Sequence, residues 1–228
     1  MNLKDMLNEV LTQSTFLARS SFVNSTDPDD KQMVSIANMV VSEIVDFYPW
    51  TPLRTVHQIQ LQDNQTRYTL PSDYSAMVPG SVWESDGSRP VDAPVHDGCW
   101  YQLKFSSLSS AGAVRGRFYG NVFEVAETDP GKILDLEYIS KWVIRSEAGA
   151  GKELFTADTD TFVLNDQMLI QGIKAAWADA KELVQADKWL MKFYARMNRE
   201  IAKTSGAQKI SSRPKTTRRD PYYPLYRT

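Results

Sequence analysis

The sequence has a single cysteine, Cys99, in 228 residues. That excludes an internal disulfide framework and any multi-cysteine metal site, and it points to synthesis in a reducing cytoplasm. Histidine is nearly as scarce, with His57 and His96 the only imidazoles. No apolar run approaches the roughly 20 residues that a membrane-spanning helix needs. The opening residues lack a basic stretch followed by an apolar one, so they do not form a secretory leader. There is no glycine-rich phosphate loop after a strand, no Gly-x-Ser-x-Gly elbow, no His-Glu-x-x-His helix and no repeat of fixed period. What is present is 42% apolar and 24% charged residues, the balance of a soluble globular chain. The length suffices for one substantial core or two small ones.

Charge is unevenly spread. Between Thr204 and Thr228 six basic residues face one acid, a net +5, so the overall −2 leaves −7 for the rest. An acidic body with a basic tail predicts that the tail meets something acidic.

Along the chain, Leu3, Met6, Leu7, Val10, Leu11, Ser14 and Leu17 recur at helical spacing, with Asn2 as N-cap and Asp5 in the first turn. A loop at 24–28 leads to a second helix, in which Asp27 caps and Pro28 takes the first helical position, where its missing N–H is not needed. Met33, Ile36, Ala37, Val40, Val41, Ile44, Val45 and Tyr48 form its apolar stripe, and Pro49 and Pro52 end it.

The middle changes period. Thr55–Gln62 alternates, and Asp63-Asn64-Gln65 turns into Arg67–Leu70. Val82–Glu84 and Arg89–Val91 flank a turn-rich break. Gly120-Asn121 joins two short strands as a hairpin, because both turn residues tolerate positive φ. Asp129-Pro130-Gly131 is a further turn, and 132–144 reads as one long strand or two short ones. Trp100, Leu103, Lys104 and Leu108 suggest a short helix within 96–108.

Helical spacing returns at Asn165, with one stripe through Met168, Leu169, Ile173, Ala176, Trp177, Ala180 and Val184, and another through Leu190, Phe193, Tyr194, Met197 and Ile201. Asp187 is placed to cap the second of these, so the stretch reads as a helical hairpin or one long kinked helix, with Gly206 to end it. Helices, a β-rich stretch and then helices again predict an α+β fold rather than a wound α/β sheet. The expected organisation is helical parts at 1–53 and 158–205 packed as a bundle, a β-rich insertion at 54–157, and an extended arm at 206–228.

Candidate chemistry is sparse. Cys99 and His96 share one turn with Asp97, without the separated scaffold a thiol nucleophile and its base ordinarily have. Asp158-Thr159-Asp160-Thr161 begins like a calcium loop but lacks the further oxygen ligands and the distal glutamate. The expected role of these side chains is to accept hydrogen bonds from backbone N–H groups in the turn. The six tryptophans are read as core and interface anchors. No catalytic, cofactor or metal residue is assigned.

The tail carries more information. Pro214, Pro221 and Pro224 favour extended, polyproline-like backbone. Tyr222, Tyr223, Leu225 and Tyr226 are apolar anchors that ordinary disordered tails lack. With Arg213, Lys215, Arg218, Arg219 and Arg227 they make a strip suited to docking on a partner protein. The alternative is a nucleic-acid-binding module using the same basic residues, which would show steep salt dependence.

Several runs carry a family resemblance: Leu70-Pro71-Ser72-Asp73-Tyr74, Val78-Pro79-Gly80-Ser81-Val82-Trp83, Arg89-Pro90-Val91, Glu137-Tyr138-Ile139-Ser140, Phe155–Thr161 and the helix from Ile173 to Leu183. In order and spacing, from about Leu3 to Lys203, the chain resembles tailed-bacteriophage head-to-tail adaptor proteins of the tail-tubular-protein-A type; the Tyr/Pro tail is not part of the likeness. The resemblance implies a virion protein at the head–tail junction, without active site or cofactor. It implies a homo-oligomeric ring, commonly of twelve copies, that sits under the portal, meets tail or nozzle proteins and continues the DNA channel without sequence-specific binding. An acidic body suits a channel wall, since like charge keeps packaged DNA from sticking. On this reading the arm grips the portal.

Overall fold

A computed structural model describes residues 1–87, 89–93, 95, 99–102, 114–126 and 130–204. Helix α1 spans Leu3–Gln13, and the Asn2 side chain accepts from the Asp5 N–H at 2.9 Å. Helix α2 spans Pro28–Phe47, with Asp27 accepting from the Asp29 N–H and Pro28 in the first turn. Both caps are those expected from the sequence. Helix α1 ends sooner than its apolar spacing suggests. Ser14 is its C-cap and Thr15 takes φ +67, a left-handed conformation that stops helical propagation. Leu17 therefore leaves the core stripe and is 87% exposed.

Three small antiparallel sheets follow. The first has the order β1 (Arg54–Gln60), β6 (Ile133–Ser140), β3 (Tyr74–Glu84). Ile59 and Leu61 fall on the buried side of the predicted alternation. Strand β3 begins earlier than the Val82–Glu84 expected from the sequence, because a bulge between Met77 and Val82 absorbs the proline and glycine. Gly80 takes φ +72, and the Ser81 hydroxyl donates to the carbonyls of Val78 (2.6 Å) and Glu137 (2.9 Å), tying the bulge to β6. The second sheet has the order β2 (Arg67–Thr69), β5 (Val122–Val125), β4 (Gly116–Tyr119), with the expected hairpin turning at Gly120, φ +56. The third joins β8 (Gly151–Lys152), β7 (Ile144–Arg145) and β9 (Thr161–Phe162). The 132–144 stretch is thus two strands. Of the short helix expected within 96–108, residues 99–102 are helical; Leu103, Lys104 and Leu108 lie outside the described residues, as does Asp129.

Helix α3 spans Asp166–Ala180, capped by Asn165 on the Gln167 N–H, and α4 spans Ala186–Thr204. They are two helices, not one kinked helix. Glu182 at φ +52 lies in the break, which puts Val184 in solvent rather than in the α3 stripe. Asp187 sits inside the first turn of α4, where its charge suits the helix N-terminus, and does not cap it.

The described residues form two apolar cores. One joins α1 and α2 to α3 and α4, and takes in Ile139, Val143, Ile144 and Phe155 from the strand region. The other lies between the first two sheets, around Phe123, Leu134 and Leu136. Strand β6 serves both, with Leu134 and Leu136 in the second core and Ile139 in the first. Gly172 makes the helical core possible where α2, α3 and α4 meet: a Cβ there would overlap Val40 and Phe193.

Candidate assembly surfaces

The loop at 156–161 clamps the N-terminal segment. Its backbone carbonyls at Asp160 and Asp158 accept from the N–H groups of Leu3 (2.8 Å) and Lys4 (3.1 Å), donors that a helix leaves free in its first turn. The Asp158 carboxylate accepts from the Ser21 hydroxyl at 2.6 Å and from the N–H groups of Phe22 and Val23. Burial alone would raise the Asp158 carboxyl; bonds from Ser21, Val23 and Phe22 and the nearby Lys4 charge outweigh it and hold it below the usual carboxylate range. Asp160, fully buried, accepts from Lys152 Nζ at 2.8 Å and from the N–H groups of Thr156 and Ala157. There too burial is outweighed and the carboxyl is lowered. Every carboxylate oxygen of this pair is already used by protein donors. Among the described residues no group of three or more His, Cys, Asp or Glu side chains is placed to hold a metal.

In the second sheet, Glu124 is buried and lies in one cross-strand row with Arg67 and Arg117. Arg117 Nη2 approaches it to 2.8 Å and Arg67 Nε to 3.4 Å. The Arg117 guanidinium also lies over the Trp100 ring at 4.7 Å, with Tyr119 at 5.4 Å and Tyr101 at 5.7 Å. Cys99, next to Trp100 in the chain, is exposed, and His96 lies outside the described residues.

The helical layer presents two apolar surfaces. On α2 and α4, Met39, Phe47, Met191 and Tyr194 are exposed, with the Phe47 and Tyr194 rings 6.2 Å apart. The Tyr194 hydroxyl donates to Glu43 at 3.0 Å, and that carboxylate, its charge and burial raise the phenol. The other surface is a groove of about 500 Å³ between the end of α1, the start of α2 and the end of α3. Leu11, Phe16, Leu17, Met33 and Trp177 line it, and Asp29, Asp30 and Lys181 rim it. Trp177 is buried, yet its indole N–H has no acceptor. Sequence periodicity assigned Leu17 and Trp177 to helix stripes; only the early end of α1 brings Phe16 and Leu17 beside Trp177.

Arg213, Pro214, Lys215, Arg218, Arg219, Tyr222, Tyr223, Leu225, Tyr226 and Arg227, the residues expected to dock, all lie outside the described residues. Among the described residues no helix is long and apolar enough to cross a membrane.

The polar clusters described above hold segments of the fold together. A search of curated proteins returned no match. A protein-family model, that of the SU10 adaptor protein, matches residues 1–219. That span takes in every described element and agrees with the head-to-tail adaptor resemblance read from the sequence; the chain belongs to the SU10 adaptor protein family.

Proposed function

We propose that this chain is a structural subunit of a phage particle, not an enzyme, and that twelve copies form a ring joining the portal of the capsid to the tail and continuing the DNA channel. The observation that carries this reading is the adaptor-family match over residues 1–219. The helical part, residues 1–53 with 158–205, supplies the ring body, and the β-rich 54–157 a lobe beside it. The presence of two apolar cores supports a two-part body, although Ile139, Val143, Ile144 and Phe155, from within 54–157, pack with the helical side. The arm at 206–228 docks on the portal through its arginines and tyrosines. A ring multiplies weak arms, because each added contact is effectively intramolecular. Truncation after Gly206 tests the docking: binding to isolated portal rings should fall sharply, and undiminished binding rejects the role given to the arm.

One observation favours nucleic acid as a second partner. Helix α4 exposes Lys188, Lys192 and Arg199, which form no ion pairs among the described residues, and it leads directly into the basic arm. Burial, and then the Lys192 charge, lower the neighbouring Lys174. If this stripe meets phosphates, duplex DNA affinity should fall steeply with salt, by a slope of about −0.9 per phosphate neutralised. A salt-independent or absent signal rejects that second reading.

A further inference from the structure

The groove beside Trp177 has the features of a receptor for extended peptide. Its floor is apolar and aromatic, through Met33, Phe16 and Trp177. Leu17 projects into solvent at 87% exposure beside it. The indole N–H of Trp177, on a side chain only 2% exposed, has no acceptor. Proline-rich extended segments dock on aromatic grooves because little conformational entropy is lost on binding.

We propose that this groove holds the segment Asp220–Arg227 of the same chain when no portal is bound, so that the arm has a seat on its own body as well as on its partner. Several observations select this occupant. The segment has prolines at 221 and 224 and apolar anchors at Tyr222, Tyr223, Leu225 and Tyr226. Reach is sufficient. Helix α4 runs antiparallel to α3, since Lys174 lies over the Trp189 ring and Arg196 donates to Asn165. Its last residue, Thr204, is therefore displaced from the groove by about the helix length, about 28 Å. About 15 residues separate Thr204 from Asp220, and in extended form they span about 46 Å. Tethering on the same chain raises the local concentration of the segment above that of any free competitor. The proposal rests on reading the arm as a docking segment, and portal binding then requires it to leave the groove.

A photo-crosslinking amino acid at Tyr223 of the full-length chain tests this. Irradiated without portal, it should join the arm to peptides containing Phe16, Leu17 or Trp177 within one chain. Leu17→Asp changes an exposed residue and should leave the fold intact while lowering that yield about ten-fold, the effect of losing one apolar anchor. Added portal rings should lower it as well. Crosslinks that form only elsewhere, or only between chains, or that are indifferent to Leu17→Asp overturn the proposal. If the groove crosslink forms but truncation after Gly206 leaves portal binding unchanged, the portal role of the arm fails and the seat on the body stands.

Discussion

Asp158 and Asp160 lie two residues apart and fasten different things. Asp160 stays within its own turn and Lys152, whereas Asp158 reaches residues 21–23. Asp158→Ala leaves two backbone N–H groups and Ser21 without their charged acceptor. It should lower stability by about 2–3 kcal/mol, read from urea unfolding followed by tryptophan fluorescence. Both carboxyls are lowered in the folded state, so their stabilisation is full above the unfolded carboxyl value of about 3.9 and is lost as pH falls through the folded values. The urea midpoint should therefore hold between about pH 7 and 5 and drop below about pH 4, with Asp158→Asn removing part of the drop. The sequence pattern alone identified Asp160 as a turn acceptor and gave the same role to Asp158, whose carboxylate instead accepts from residues 21–23. It gave no sign of the Asp158 contact, because the partners are more than 130 positions apart and backbone donors leave no residue-type signature. Glu124 shows the same blindness: Arg67 and Arg117 converge on it only through strand register. Glu124→Ala removes a buried carboxylate that Arg117 and Arg67 share and should destabilise by about 1–3 kcal/mol in the same assay.

Among the elements, the starts of α1, α2 and α3 were legible, that of α4 was misplaced at Asp187, and helix ends were not legible. Asn2, Asp27 and Asn165 cap where a short polar side chain precedes an apolar stripe. The ends at Ser14 and Lys181 are set by residues in left-handed conformation that are not glycine, Thr15 and Glu182, so periodicity ran on into Leu17 and Val184. The bulge at Val78–Ser81 was not read from the sequence, which assigned a strand only at Val82–Glu84; the hydrogen bonds of Ser81 carry the strand across Pro79 and Gly80. Gly172 marks the tightest helix contact. Alanine there would gain about 1 kcal/mol of intrinsic helix preference, but the overlap with Val40 and Phe193 should reverse the sign. A net loss of about 1–3 kcal/mol is expected on thermal or urea unfolding, and a stabilised variant would mean that the three helices can separate without penalty.

For the whole molecule, the α+β class was readable from the change of period along the chain, and the adaptor family from ordered runs of structural residues. The division into cores was less so, because strand residues from Ile139 to Phe155 serve the helical side. Two cores predict two levels of protection. Phe123→Ala, at a fully buried ring, should destabilise by about 3–5 kcal/mol. Hydrogen exchange should then show faster opening in β2, β4 and β5 while α2 and α3 keep their protection. Uniform acceleration across all elements would show a single cooperative unit. Strand β6 bears on how such a body would carry load. It lies between β1 and β3, bonded along both edges, with one end among the helices and the other in the lobe. Tension between those two ends runs lengthwise along a strand whose ladder bonds lie crosswise, so they must give way together rather than one after another. That makes β6 the tie-rod of this body, and an adaptor loaded between its two ends is where a tie-rod is wanted.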